Sequence, residues 1–249
     1  LEFRRVLFRS AQFGPLVKPI ITPRFVPSCT SELMSGLGNL AEAYNVPVQS
    51  HLSENHGEIE WVAALHPEAA NYTDVYYEHN LMGKVPTVMA HCIHLSDVEM
   101  DRMAETQTMV SHCPYSNINL SSGIAPIRKL FERKIPIGLG SDISGGHIVS
   151  MAKVLTEAIG LSKMKWVEVD QTYAPLTLSE AFYMATKGGG KFFGKVGSFE
   201  KGCELDALVI DDTTLFDPNE RSLEERLERW LYVGDDRHII ERYVAGKVA

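Results

Sequence analysis

The sequence predicts an α/β fold, a parallel sheet or barrel, and three observations carry that expectation. Four short apolar runs each stop abruptly on a metal-capable or acid–base residue: Val46-Pro-Val-Gln-Ser-His51, Thr87-Val-Met-Ala-His91, Met109-Val-Ser-His112 and Ile135-Pro-Ile-Gly-Leu-Gly-Ser-Asp142. A strand buried in a parallel sheet reads as such a continuous run. Helix-length segments separate the runs, giving the β-α alternation that parallel strands require. From about Gly197 the pattern changes to short strands and turns, which sets the last fifth of the chain apart.

Taken in order, Val17 to Phe25 reads as a strand running into a loop. Thr30 to Tyr44 is a helix, with Thr30 or Ser31 as N-cap and Leu33, Leu37, Leu40 and Ala41 at helical spacing. After the His51 strand, Glu58 to Leu65 and Thr73 to Asn80 read as helices. After the His91 strand, Ser96 caps a helix, and Glu99 three residues on completes a capping box. A helix near Ala125–Arg133 links the His112 and Asp142 strands, and Met151–Lys163 and Thr177–Thr186 are further helices. Val196 to Asp211 reads as short strands with turns, Leu223 to Trp230 as a charged helix, and Glu241 to Val248 as a hairpin turning on a glycine. The run Lys187-Gly-Gly-Gly190 lacks the strand–GxxxxGK[ST]–helix setting of a phosphate loop and reads as a turn or as close helix packing.

With 249 residues the chain can hold one large α/β domain or two smaller ones. It is 45% hydrophobic and 22% charged, as globular proteins are. A net charge of −8 argues against a nucleic-acid partner. The absence of an apolar run of about 18 residues argues against a membrane-spanning helix. None of Cys29, Cys92, Cys113 and Cys203 sits in a C-x-x-C pair and nothing marks secretion, so reduced thiols in a cytoplasm are expected. Cys92 and Cys113 read as buried small hydrophobes. Leu1 to Ser10 carries three arginines and no strand or cap logic; it reads as a non-native scar in preference to a short targeting segment, and with no initiating Met the chain is expected to begin mid-protein.

In an α/β barrel, catalytic groups sit where the strands end. Four strand ends carrying His, His, His and Asp therefore point to one mouth holding a metal. Zinc suits imidazole and carboxylate ligands and keeps one position for water in a catalytic site, so His51 and Asp142 are the candidate ligands. His91 is either a further ligand or a partner of the bound water. A metal-bound water needs a group that shuttles protons to the leaving group, and Glu54, three residues past His51, fits that role in attack on a C–NH2 carbon. A lone histidine at a strand end is more often a satisfied core or surface residue; the joint pattern favours the site. His56, His66, His79 and His238 read as surface, His94 and His147 as near the mouth, and His112 as either structural or site-shaping.

At these residues the chain resembles the amidohydrolase superfamily, and within it the guanine deaminase family, from about Pro15 to Ala249. The superfamily marks are His51, His91 and Asp142. The narrower marks are Thr22-Pro-Arg-Phe25, Gln49-Ser-His-Leu-Ser-Glu-Asn55, His112-Cys-Pro-Tyr-Ser-Asn117, Gly138-Leu-Gly-Ser-Asp142 with Gly145-Gly146, and Tyr232-Val-Gly-Asp-Asp-Arg237. The resemblance implies a TIM-type (β/α)8 barrel. Residues 11–196 would supply only about strands four to eight, and residues 197–249 the C-terminal part of a small β-sandwich. It implies hydrolytic deamination of guanine, with one zinc per subunit or iron in its place, in a cytoplasmic homodimer. His51 and Asp142 would ligate the metal and Glu54 would shuttle protons. His91 would hold the hydroxide and the tetrahedral centre, Arg24 would contact the purine and Phe25 would line the base pocket. Ser116 and Asn117 would shape that pocket.

The chain departs from the family in having no H-x-H pair, the two metal ligands at the end of strand one. An open sheet edge and weak zinc binding are the expected consequences. Two other functions stay open at this point. One is a related hydrolase acting on another aminated ring, such as 8-oxoguanine or a triazine, against which the Arg24-Phe25 pair argues. The other is a non-catalytic, partner-binding module.

Overall fold

A computed structural model describes Gly14 and residues 16–249; the foreign-looking first ten residues lie outside them. The chain divides into two compact units, Leu1–Met109 and Val110–Ala249.

In the first unit, helix α1 (Ser31–Tyr44) opens on Thr30, whose hydroxyl accepts from the Leu33 amide at 3.2 Å, and closes on Asn45 in the left-handed region. Strand β1 (Val48–Leu52), helices α2 (His56–Leu65) and α3 (Tyr72–Glu78), strand β2 (Thr87–His91) and helix α4 (Asp97–Glu105) follow. Asn55 and Asn71 cap α2 and α3 through their side-chain oxygens, and Ser96 with Glu99 forms the expected capping box of α4. β1 and β2 run parallel, from Val48 opposite Thr87 to Leu52 opposite His91. Val48, Leu52, Met89, Met34 and Tyr76 are fully buried around this pair. Each large apolar side chain removed from water contributes about 1.5–3 kcal/mol, and that burial anchors the strand ends.

The strand expected over residues 17–25 reduces to a single parallel bridge between Ile21 and Val48. Pro19 and Pro23 flank Ile21; neither has an amide proton for the ladder, so pairing cannot spread.

In the second unit, β3 (Met109–His112) and β4 (Ile137–Leu139) are again parallel, with His112 opposite Leu139. Helices α5 (Pro114–Asn119), α6 (Ile127–Glu132), α7 (Met151–Glu168) and α8 (Leu178–Tyr183) follow their strands, and α8 runs into a π turn at Met184–Gly188. The glycine run packs against β4: a Cβ on Gly188 would lie 2.7 Å from the Ile137 carbonyl oxygen, and one on Gly138 would lie 2.9 Å from Gly189 Cα. Strands β5 (Ala207–Ile210), β6 (Ile239–Val244) and β7 (Lys247–Val248) form an antiparallel sheet in that order, with helix α9 (Leu223–Val233) between β5 and β6. The expected hairpin turns on Ala245 and Gly246, both at positive φ, the conformation that two-residue hairpin loops need. Between Val196 and Asp211 a single strand, Ala207–Ile210, forms among the described residues, because Gly197 and Gly202, at positive φ, turn the chain before it.

Two histidines read as surface are buried: His66 and His238 are each 8% exposed. His66 ends α2 and meets His79 edge-on at 6.2 Å. His238 closes a 3-10 turn, accepting from the Asp235 amide at 3.1 Å. Among the described residues, no helix is long and apolar enough to cross a membrane.

Candidate active site

The register of β1 and β2 sets Ala90 beside His51 and His91 beside Leu52. His91, at φ 69°, leaves the extended conformation, and its ring stacks on that of His51 with centroids 5.3 Å apart. Ser53 and Cys92, the residues just beyond each strand, are left-handed as well. Non-glycine residues in that region are uncommon, and such strain concentrates at functional sites. The Ser53 carbonyl takes the amides of Ile93 and His94, both at 3.1 Å, and so ties the two strand-end loops together. Glu54 then lies with Oε2 3.7 Å from His91 Nε2, where His91 is 1% exposed and Glu54 16%.

His51 Nδ1 sits 2.6 Å from the Arg24 carbonyl oxygen. A carbonyl only accepts, so Nδ1 carries the proton and Nε2 presents its lone pair. The Arg24 guanidinium lies over the Phe25 ring, 5.4 Å from its centroid, and Phe25 meets Trp61 edge-on at 6.2 Å. The first unit thus brings together Arg24, Phe25, His51, Glu54 and His91.

Sequence reasoning missed the layer beneath them. Tyr76 donates to the His51 carbonyl at 2.9 Å, and its hydroxyl is 2.7 Å from Ser50 Oγ, which is 2.8 Å from the Pro23 carbonyl oxygen. Tyr72 stacks on Tyr76 with centroids 5.6 Å apart and donates to Glu58 Oε1 at 2.7 Å. Glu58 Oε2 accepts from the Glu54 amide at 2.9 Å. Burial first, then the neighbouring Tyr76 and Glu58, push the Tyr72 phenol well above its ordinary range, so it remains a donor. Tyr76 falls inside the helix expected over residues 73–80 and reads there as an ordinary helix residue, while Tyr72 lies just before it and opens the observed helix.

In the second unit, Asp142 follows β4 at φ 44°. Its carbonyl accepts the Gly146 amide at 2.6 Å, closing a turn in which a Cβ on Gly145 would lie 2.8 Å from Asp142 Oδ2 and 2.6 Å from Ser116 Oγ. Asn119, also missed, donates to the Gly145 carbonyl at 2.7 Å. Ser116 and Asn117 are fully buried. His112, 1% exposed at the end of β3, lines a cavity of about 180 Å³ together with Ile127, Leu161, Lys165, Trp166 and Tyr173.

The donor chemistry suits zinc at His51, where a ligating histidine gives its other ring N–H to a carbonyl. Among the described residues no group of three or more His, Cys, Asp or Glu side chains gathers to hold a metal ion.

The amidohydrolase family model matches residues 4–249. The chain is 44% identical over 243 residues to a guanine deaminase of Dictyostelium discoideum, covering 95% of this chain and 54% of that protein. The crystal structure of guanine deaminase from C. acetobutylicum, with guanine bound in its active site, matches with a TM-score of 0.95 and 52% identity, covering 98% of this chain and 58% of that one. An adenosine deaminase from Xanthomonas campestris with bound zinc matches at 23% identity and a TM-score of 0.83, over 99% of this chain and 55% of that one, a likeness of fold alone. The chain spans about half the length of the relatives it matches.

Proposed function

The chain belongs to the amidohydrolase family, and on that premise we propose that its residues form part of the active site of a zinc-dependent guanine deaminase, converting guanine and water to xanthine and ammonia. The observation that carries this reading is the approach of Glu54 Oε2 to His91 Nε2, 3.7 Å apart beside the stacked His51 ring. The reading extends the fold to strands four to eight of a (β/α)8 barrel through residue 196 and a β-sandwich segment from residue 197. It also takes the active form to be a cytoplasmic homodimer.

His51 and Asp142 would hold the metal, zinc or in its place iron. When bound, zinc supplies a water acidic enough to act as a nucleophile near neutrality. The remaining work falls to this chain's own groups. Glu54 takes one proton from the attacking water as the new C–O bond forms at the amino-bearing carbon and gives it to the ring nitrogen; it then takes the second from the new hydroxyl and gives it to the amine, so that the C–N bond breaks, the carbonyl forms and ammonia leaves. His91, beside Glu54, hydrogen-bonds the oxygen at the carbon under attack. Arg24 contacts the purine, and Phe25, backed by Trp61, gives the flat base an apolar wall. Ser116 and Asn117 shape the pocket.

The test is a substrate panel run on the protein as its gene encodes it, loaded with zinc. Guanine should give xanthine and ammonia with the highest kcat/KM. Turnover of 8-oxoguanine or a triazine with guanine left untouched would replace this reading with that of a related hydrolase, and turnover of none would favour a non-catalytic module.

A further inference from the structure

We propose that Glu58, held by Tyr72, is a positioning residue for Glu54; this rests on the reading above and deepens it. The evidence is a departure from ordinary helix capping. Glu58 is the third residue of α2, and its amide donates to the Asn55 side chain at 2.9 Å, as capping requires. In a capping box the third-residue carboxylate returns to the amide of the cap residue itself. The boxes at Ser96/Glu99, Thr177/Glu180 and Ser222/Glu225 do this. Glu58 instead reaches one residue further back and takes the amide of Glu54 at 2.9 Å. Capping gains nothing from that choice, whereas the residue that moves protons gains a fixed backbone.

The grip is built from buried parts. Glu58 is 7% exposed and Tyr72 3%. The Tyr72 hydroxyl donates to Oε1 at 2.7 Å, so one carboxylate oxygen is anchored to the core while the other holds Glu54. Ser53, immediately before Glu54, is strained at φ 49° and pinned by two amides through its carbonyl. The peptide group that enters Glu54 is thus held at both its carbonyl and its amide, which fixes the base from which the side chain carries the carboxylate between proton donor and acceptor. Small displacements at such a site are costly in rate. Tyr76, stacked on Tyr72, secures the His51 carbonyl at 2.9 Å in the same layer, so one tyrosine pair supports both the ligand and the proton carrier.

The test compares Glu54→Gln, Glu58→Gln, Tyr72→Phe and the Glu54→Gln/Glu58→Gln double variant in the protein as its gene encodes it, loaded with zinc and assayed on guanine. In Glu58→Gln the side-chain amide has one oxygen in place of two, so it cannot accept from both the Tyr72 hydroxyl and the Glu54 amide as the carboxylate does. Tyr72→Phe keeps the ring stack while losing the hydroxyl. The expected result is that Glu58→Gln lowers kcat about tenfold or more, with KM and metal content within about twofold, and Tyr72→Phe lowers kcat less. Because Glu58 acts through Glu54, its replacement should cost nothing further in the Glu54→Gln background. Unchanged kcat in both Glu58→Gln and Tyr72→Phe, or an equal loss from Glu58→Gln with and without Glu54, overturns the inference alone. Should Glu58→Gln fail to fold, Tyr72→Phe with and without Glu54→Gln decides by the same criteria. Full activity in Glu54→Gln overturns the proton-carrier role, and the inference falls with it.

Discussion

The His51 imidazole donates through Nδ1 to the Arg24 carbonyl, 2.6 Å away and 27 residues earlier in the chain. That bond fixes the tautomer, leaves the lone pair on Nε2, and ties the segment carrying Arg24 and Phe25 to the strand end carrying His51. His51→Ala should therefore reduce bound zinc to background, measured by elemental analysis of the purified protein. Tyr76→Phe, which removes the hydroxyl and with it the bonds to the His51 carbonyl and to Ser50, should retain zinc with affinity weakened by about 10- to 100-fold, the usual effect of losing a supporting partner.

The glycines of the second unit divide by what surrounds them. Gly188→Ala would drive a methyl to 2.7 Å from the Ile137 carbonyl oxygen and 2.8 Å from that of Tyr183, and neither backbone group can yield cheaply. It should lower stability by about 1–3 kcal/mol in denaturant titrations. Gly160, exposed in α7, has nothing within 4 Å of its would-be Cβ, and Gly160→Ala should raise stability by about 1 kcal/mol.

Arg128 grips Glu180 through two guanidinium nitrogens, at 2.5 and 2.9 Å. That hydrogen-bonded pair lowers the Glu180 carboxyl from its ordinary 4.5 to about 2. A depressed carboxyl contributes stability that is complete above its unfolded value and is lost as pH falls toward the folded one. Melting temperatures measured from pH 6 down to pH 2 should therefore fall less steeply below 4.5 in Glu180→Gln than in the parent protein. Parallel curves would show that the pair adds no pH-dependent stability.

The sequence made the strand ends legible because buried parallel strands announce themselves as apolar runs that stop on chemistry, as at His51 and His91. Capping was equally readable, since Ser96–Glu99 is a local pattern with a local cause. The bridge at Ile21 was misread because its hydrophobicity suited a strand while Pro19 and Pro23 denied it a ladder. The buried tyrosine layer was invisible for a different reason. Tyr72, Tyr76, Ser50 and Glu58 gain their meaning from contacts across 14 to 26 residues, and no local pattern separates a tyrosine that anchors a carboxylate from one that fills a core. The same holds for Asn119, whose partner Gly145 lies 26 residues away.

The most direct test of the proposed chemistry is the turnover of guanine by Glu54→Gln at zinc content matched to the parent protein. The substitution keeps the size of the side chain and the backbone grip of Glu58, but the new amide cannot carry a proton. The expected result is a loss of kcat of about 100- to 10,000-fold with metal and fold intact. Retention of most of the activity at equal zinc content would contradict the assignment of Glu54 as the proton carrier.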